Sequence, residues 1–115
     1  MPDVELKVST RSAGGRIVMS LGGEIDLYTA PRLHGELATV LSADGPAQIV
    51  VDLSGVEFCD STGMNVLLAA QRRARERGGD LELAAPRPAV QKVLHVTGLE
   101  SVFTVLADPA TVAGQ

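Results

Sequence analysis

Ile49-Val50-Val51-Asp52-Leu53, then Asp60-Ser61-Thr62-Gly63, then Met64 to Arg77: an apolar run, a short polar loop and a helical pattern follow one another in mid-chain. The run is apolar nearly throughout, which predicts a central strand covered on both faces. After it Val66, Leu67, Ala70 and Ala74 recur at helical spacing, and Gly78-Gly79 ends the helix. A strand feeding a helix in this way is a unit of α/β architecture. Ser61 stands where the helix begins, so its hydroxyl is held out by a helix N-terminus, which favours negative charge.

Working toward the N-terminus, Val4, Leu6 and Val8 alternate with Glu5, Lys7 and Ser9 and predict a half-buried strand. Ser12-Ala13-Gly14-Gly15 reads as a turn, and Arg16 to Leu21 as a second strand with Ile17, Met19 and Leu21 on one face. The short connection makes the pair an antiparallel hairpin. Gly22-Gly23 is expected to break the second strand, and Glu24 to Tyr28 leads out of it. Thr29 suits an N-cap and Pro31 the first turn of a helix whose Leu33, Leu37, Val40 and Leu41 face the core. Asp44-Gly45-Pro46 stops that helix. Working toward the C-terminus, Leu81 and Leu83 mark a strand. Pro88 starts a helix carrying Val90, Val93, Leu94 and Thr97, and Gly98 closes it. Val102 to Leu106 reads as a last strand. Asp108-Pro109 offers a start for a final short helix, with Ala110 to Gln115 too brief to assign. The order β-β-α-β-α-β-α-β predicts an α/β fold, a mixed sheet packed against helices in a single domain over residues 1–115, with its core at about 4–107 and the tail 108–115 a short helix or disordered.

A chain of 115 residues is one domain of ordinary size. Aromatics are few, Tyr28, Phe58 and Phe103, so the core is aliphatic and a stacking platform for single-stranded nucleic acid is not expected. A net charge of -4 points the same way, away from a general nucleic-acid binder. Cys59 is the one cysteine, which excludes an intrachain disulfide and a cysteine-based zinc site and fits a reducing cytoplasm. No signal peptide and no membrane-spanning run is visible, and a cytoplasmic location is expected. No cofactor or metal is expected.

Four ordered segments resemble a STAS domain of the anti-sigma-factor antagonist type. They are Gly23-Glu24-Ile25-Asp26 with Thr29-Ala30 and Leu33; Val50 to Ser54 with Val56 and Phe58; Asp60-Ser61-Thr62-Gly63; and Val96-Thr97-Gly98-Leu99 with Val102-Phe103. The resemblance implies a protein-binding switch. Its unphosphorylated form docks on an anti-sigma factor that is also an ATP-dependent serine kinase, and a sigma factor is freed. Phosphorylation of the serine after the Asp, here Ser61, ends the contact, and a serine phosphatase restores it. Such families usually carry Leu-Gly after the motif glycine. Here Met64-Asn65 stand there, a mild change for an apolar contact at Met64 but a polar side chain on the first helical turn at Asn65.

Alone, Ser61 reads as an N-cap worth about 1 kcal/mol. Within the four segments it reads as a phosphoacceptor. A phosphate adds about -1.5 to -2 charges, which the helix start tolerates and which Asp60 and an acidic or apolar partner surface do not. A change of interface, not of fold, is therefore expected. Asp60 either tightens the loop or orients the hydroxyl during transfer, with ATP and the catalytic groups supplied by the kinase. Thr62 is a capping or packing group or a minor acceptor. Asp26, Tyr28 and Thr29 either start a helix or line the docking face with Asp60, Thr62, Gly63, Met64 and Asn65; sequence alone does not set the two loops side by side. Arg72, Arg73, Arg75 and Arg77 read as a solvated helix end, with a second partner surface as the alternative, His34 and His95 as ordinary helix-surface or half-buried residues, and Cys59 as a small buried one.

Two rival classes remain. A Ser-dependent hydrolase lacks the Gly-x-Ser-x-Gly elbow, and no phosphate-binding G-x-x-x-x-G-K-[ST] loop is present. No catalytic residue is therefore assigned. A non-regulatory STAS subunit of a lipid-transport or stress-signalling assembly would share the fold and need no phosphate.

Overall fold

The computed structural model describes residues 5–107. Val4 and the final-helix segment 108–115 lie outside them. The elements in chain order are β1 (Lys7–Ala13), β2 (Arg16–Ile25), α1 (Ala30–Leu41), β3 (Gln48–Cys59), α2 (Ser61–Glu76), β4 (Asp80–Ala84), α3 (Pro88–Val96), a 3-10 turn (Leu99–Ser101) and β5 (Val105–Leu106). One sheet runs β1-β2-β3-β4-β5 in space. β1 and β2 are antiparallel, and every later neighbour is parallel. The expected order and mixed sheet are therefore observed.

Each parallel step moves one strand further in the same direction. Right-handed crossovers then leave α1, α2 and α3 on one face of the sheet. The core lies there: Leu33, Leu37 and Leu41 of α1, Met64, Leu67, Ala70 and Ala74 of α2, and Val90 and Leu94 of α3 meet Met19, Ile49, Val51, Leu53, Leu81 and Leu83 from the strands. The opposite face carries a smaller cluster of Val18, Val50 and Ala84. Val50 therefore points away from Ile49 and Val51, which explains why β3 is apolar at successive positions.

Several elements differ from the sequence reading: β1 begins at Lys7 and not before Leu6, β3 runs on past Leu53 to Cys59, and three further places depart from it. The first turn holds two residues, not four: Ala13 pairs with Arg16, and Gly14 and Gly15 take φ of 59° and 77°. Both central residues of such a tight hairpin need positive φ, so the glycines are the turn and Ser12-Ala13 extend the strand. Gly22-Gly23 bends β2 without breaking it. The register with β3 shifts between Ser20 and Gly22 and again between Gly23 and Glu24. The strands are so close here that a Cβ on Gly55 would stand 2.8 Å from the Leu21 carbonyl oxygen. Glycine thus marks a bulge, and β2 continues to Ile25. The last strand is only Val105–Leu106. Val102 and Phe103 donate their N–H groups to Leu99 O at 3.0 and 3.1 Å, which holds them in a helical corner with Phe103 buried.

The four arginines of α2 and its exit are not a uniform solvated face. Arg75 pairs with Asp80 at 2.9 Å. Arg77 reaches back across the chain and donates to the carbonyls of Leu41, Ala43 (2.6 Å) and Gly45 (3.3 Å). Those are carbonyls at and beyond the end of α1, which that helix cannot satisfy itself. Arg77→Ala should therefore lower the unfolding free energy by about 1 kcal/mol, the scale of a net hydrogen bond. Arg72→Ala, at an exposed position, should stay within about 0.5 kcal/mol. Urea unfolding of the two variants side by side checks this.

Candidate functional site

β2 and β3 are parallel, so their C-terminal ends lie together: Ile25 is the register partner of Cys59. The Asp60 N–H donates to Ile25 O at 3.0 Å just beyond. The loop after β2 and the loop after β3 therefore leave the sheet side by side. That adjacency, open at the sequence level, sets the start of the loop carrying Asp26, Tyr28 and Thr29 beside Asp60. Clefts beyond the carboxyl ends of parallel strands are where α/β proteins place their binding groups.

The cap of α2 is Asp60, not Ser61. Asp60 has extended backbone, and its carboxylate accepts from Gly63 N–H at 3.0 Å while its carbonyl accepts from Met64 N–H at 3.0 Å. Ser61 is the first helical residue and is exposed. Its hydroxyl makes no hydrogen bond among the described residues. Asp60 thus tightens the loop and caps α2.

The β2–α1 loop is built by Asp26. Its Oδ1 accepts from Tyr28 N–H at 2.9 Å and Thr29 N–H at 3.0 Å. The Thr29 hydroxyl donates to Glu24 O at 2.8 Å and accepts from Asp26 N–H at 2.9 Å. Thr29 makes no side-chain cap to α1. It is 5% exposed and acts as a tie inside the loop. Tyr28, in contrast, is 87% exposed, and Leu27 beside it 65%.

Gly63 and Met64 are buried as well. Met64 is fully buried in the core beneath α2. Gly63 is buried, and a Cβ there would fall 2.4 Å from Ile25 Cγ2 and 2.8 Å from Cys59 Sγ. Only hydrogen lets the first turn of α2 sit on the ends of β2 and β3. Of the nine residues assigned from sequence, Tyr28, Ser61 and Asn65 are exposed, Asp26, Asp60 and Thr62 are partly covered, and Thr29, Gly63 and Met64 are buried.

The sequence reading missed Leu27 and Phe58 as surface groups. Phe58, 45% exposed, is the register partner of Glu24 at the same end of the sheet. The signal was available in Leu27, an apolar side chain next to Tyr28 in a turn. Gln71 was missed as well: 1% exposed, it donates to Val102 O at 3.0 Å and holds the corner after α3. Its place on the apolar stripe of α2 was the clue.

Cys59 packs under the site as a free buried thiol. Burial, helped by the charge of Asp60, pushes its pKa up from 9.0 to about 12. The thiol is thus not a nucleophile near neutral pH. Neither histidine is hydrogen-bonded to Ser61 among the described residues; His95 pairs with Glu100 at 2.7 Å on the α3 side. Among the described residues no cluster of His, Cys, Asp and Glu is arranged to hold a metal, and no helix is long and apolar enough to cross a membrane.

One mixed sheet with its helices, and two loops that leave the same end of it, define an α/β domain. The chain belongs to the STAS domain family: the family model described as "Mlab, STAS domain" matches residues 8–107. It is similar to the anti-sigma-F factor antagonist RsfB of Mycobacterium tuberculosis, 33% identical over 106 residues, covering 92% of this chain and 84% of that protein. It is also similar to the anti-sigma-B factor antagonist of Staphylococcus aureus, 26% identical, covering 89% of this chain and 94% of that protein. Among solved structures, an anti-sigma factor antagonist from Mycobacterium paratuberculosis superposes with a TM-score of 0.83 at 32% identity, covering 93% of this chain and 90% of that one.

Two measurements test the local physics. Gly63→Ala should cost about 1–3 kcal/mol in urea unfolding, the usual cost of overpacking. For Cys59, the fold holds the thiol proton more tightly than the unfolded chain does. Its contribution is therefore complete below pH 9.0 and lost as pH rises toward about 12. Stability should fall over that alkaline window in the parent chain, and less so in Cys59→Ala.

Proposed function

We propose that this chain is an anti-sigma-factor antagonist whose docking is switched by phosphorylation of Ser61. The observation that carries the reading is the exposed Ser61 hydroxyl, without a hydrogen bond among the described residues and set at the end of the sheet that also exposes Leu27, Tyr28 and Phe58. The relatives named above are anti-sigma-factor antagonists, which supports the class.

In this reading the unmodified chain binds an anti-sigma factor that is also a serine kinase. Tyr28 and Leu27 supply apolar anchors, and Asn65 and the edge of Asp60 supply polar contacts around Ser61. The partner binds ATP and transfers the γ-phosphoryl group to the Ser61 oxygen, with ADP and the hydroxyl proton leaving. The new charge lies against Asp60 and in the middle of the apolar contact, so desolvating it on binding becomes costly. The core beneath is unaffected, because Ser61 packs against nothing in it. A serine phosphatase removes the group and restores binding. The chain works by being bound and modified, not by turnover.

Intact-mass measurement after incubation with the cognate kinase and ATP tests the site. One phosphate on the parent chain and none on Ser61→Ala is expected; a phosphate on Ser61→Ala overturns the assignment. Ser61→Asp should weaken kinase binding about tenfold or more, which is about 1.4 kcal/mol or more, with the far-UV CD unchanged. Unaltered affinity would contradict the electrostatic mechanism.

A further inference from the structure

Asn65 lies four residues after Ser61 on α2, and both side chains are exposed. Residues so spaced share a helix face, with Cβ atoms about 5–6 Å apart. Helical side chains lean toward the N-terminus, so Asn65 leans toward Ser61. Its carboxamide carries two N–H donors, and no hydrogen bond within the described chain occupies them. By contrast, the carboxylates on the two adjoining loops, Asp60 and Asp26, each accept from backbone N–H groups. Glu24 and Glu57 stand exposed at the strand ends. The surroundings of Ser61 are thus acidic, and Asn65 is the neutral donor on the serine's own face.

We propose that Asn65 is a positioning residue for the phosphorylated state: its carboxamide N–H donates to a phosphate oxygen on Ser61 and holds the group against the first turn of α2. This rests on the reading of Ser61 as the phosphorylated residue. The bond has two effects. It offsets part of the repulsion from Asp60, so the modified chain keeps its stability. It also favours the doubly charged phosphate over the singly charged one, because hydrogen bonds to the more charged form lower a pKa. The modified chain then carries its full charge at neutral pH, where repulsion from the partner is greatest. An apolar or hydrogen side chain at position 65 leaves the phosphate free to rotate and to take up a proton more readily.

The test installs phosphoserine at position 61 during translation, so that it needs no kinase, and follows the phosphorus NMR signal through a pH titration. Phosphoserine loses its second proton near pH 6, at about 6 in ordinary surroundings. Against the parent sequence, Asn65→Ala should raise that midpoint by about 0.3–1 unit, and Asn65→Asp by more, through like charge. Asn65→Gln, which keeps the donor on a longer arm, should restore most of the parent value. Equal midpoints for the parent and Asn65→Ala would overturn the proposal, as would a rise in Asn65→Gln as large as that in Asn65→Ala. Because the phosphate is installed directly, a chain that no kinase modifies would still give this result. Failure of the Ser61 switch and failure of the Asn65 contact are therefore read separately.

Discussion

The parallel pairing of β2 with β3 is the constraint on which the site depends. It places Ile25 opposite Cys59 and lets the Asp60 N–H close on the Ile25 carbonyl at 3.0 Å. From that point two loops leave the sheet together. One is shaped by Asp26 and lifts Leu27 and Tyr28 into solvent. The other is shaped by Asp60 and sets Ser61 at the first position of α2. Each Asp works through its side chain on backbone N–H groups, so both loops are rigid at the base and exposed at the tip. Preorganised tips on a stiff scaffold lose little entropy on docking.

In the proposed switch, the same junction would let modification alter contacts without altering the fold. Beneath Ser61 the chain is packed without slack. Gly63 touches Ile25 and Cys59, Met64 fills the space below, and Gln71 ties α2 to the corner after α3. None of these groups faces the Ser61 oxygen. In that proposal a negative charge added there meets solvent, a helix N-terminus, the Asn65 carboxamide and the carboxylates of the adjoining loops, not the core. The raised pKa of Cys59 belongs to this packed layer, since burial is its main cause.

Much of this was legible in the sequence because local rules and tertiary structure agree. The period of Leu33, Leu37 and Leu41 and the apolar run at the start of β3 read correctly as elements, but β3 runs on past Leu53 to Cys59, and Ser61, Thr62 and Gly63 are the first turn of α2 and not a loop. What was not legible depended on distance through space. Gly22-Gly23 looks like a break in one strand and is a bulge only because Gly55 approaches from the next. Thr29 looks like a cap until Glu24 O is found within its reach. Met64 and Asn65 are neighbours in sequence, but the helix turns one into the core and the other to solvent. Arg77 joins a basic run by composition and the end of α1 by contact.

The central claim is that a phosphate on Ser61 changes the surface and leaves the fold. Amide nitrogen–proton NMR spectra of the chain with and without phosphoserine at position 61 test it most directly. The account predicts that shifts are confined to Asp60 to Asn65 and the adjoining Asp26 to Thr29 loop, with β3, β4 and α3 unmoved. Shifts spread through the sheet, or loss of dispersion across the core of α2, would contradict it.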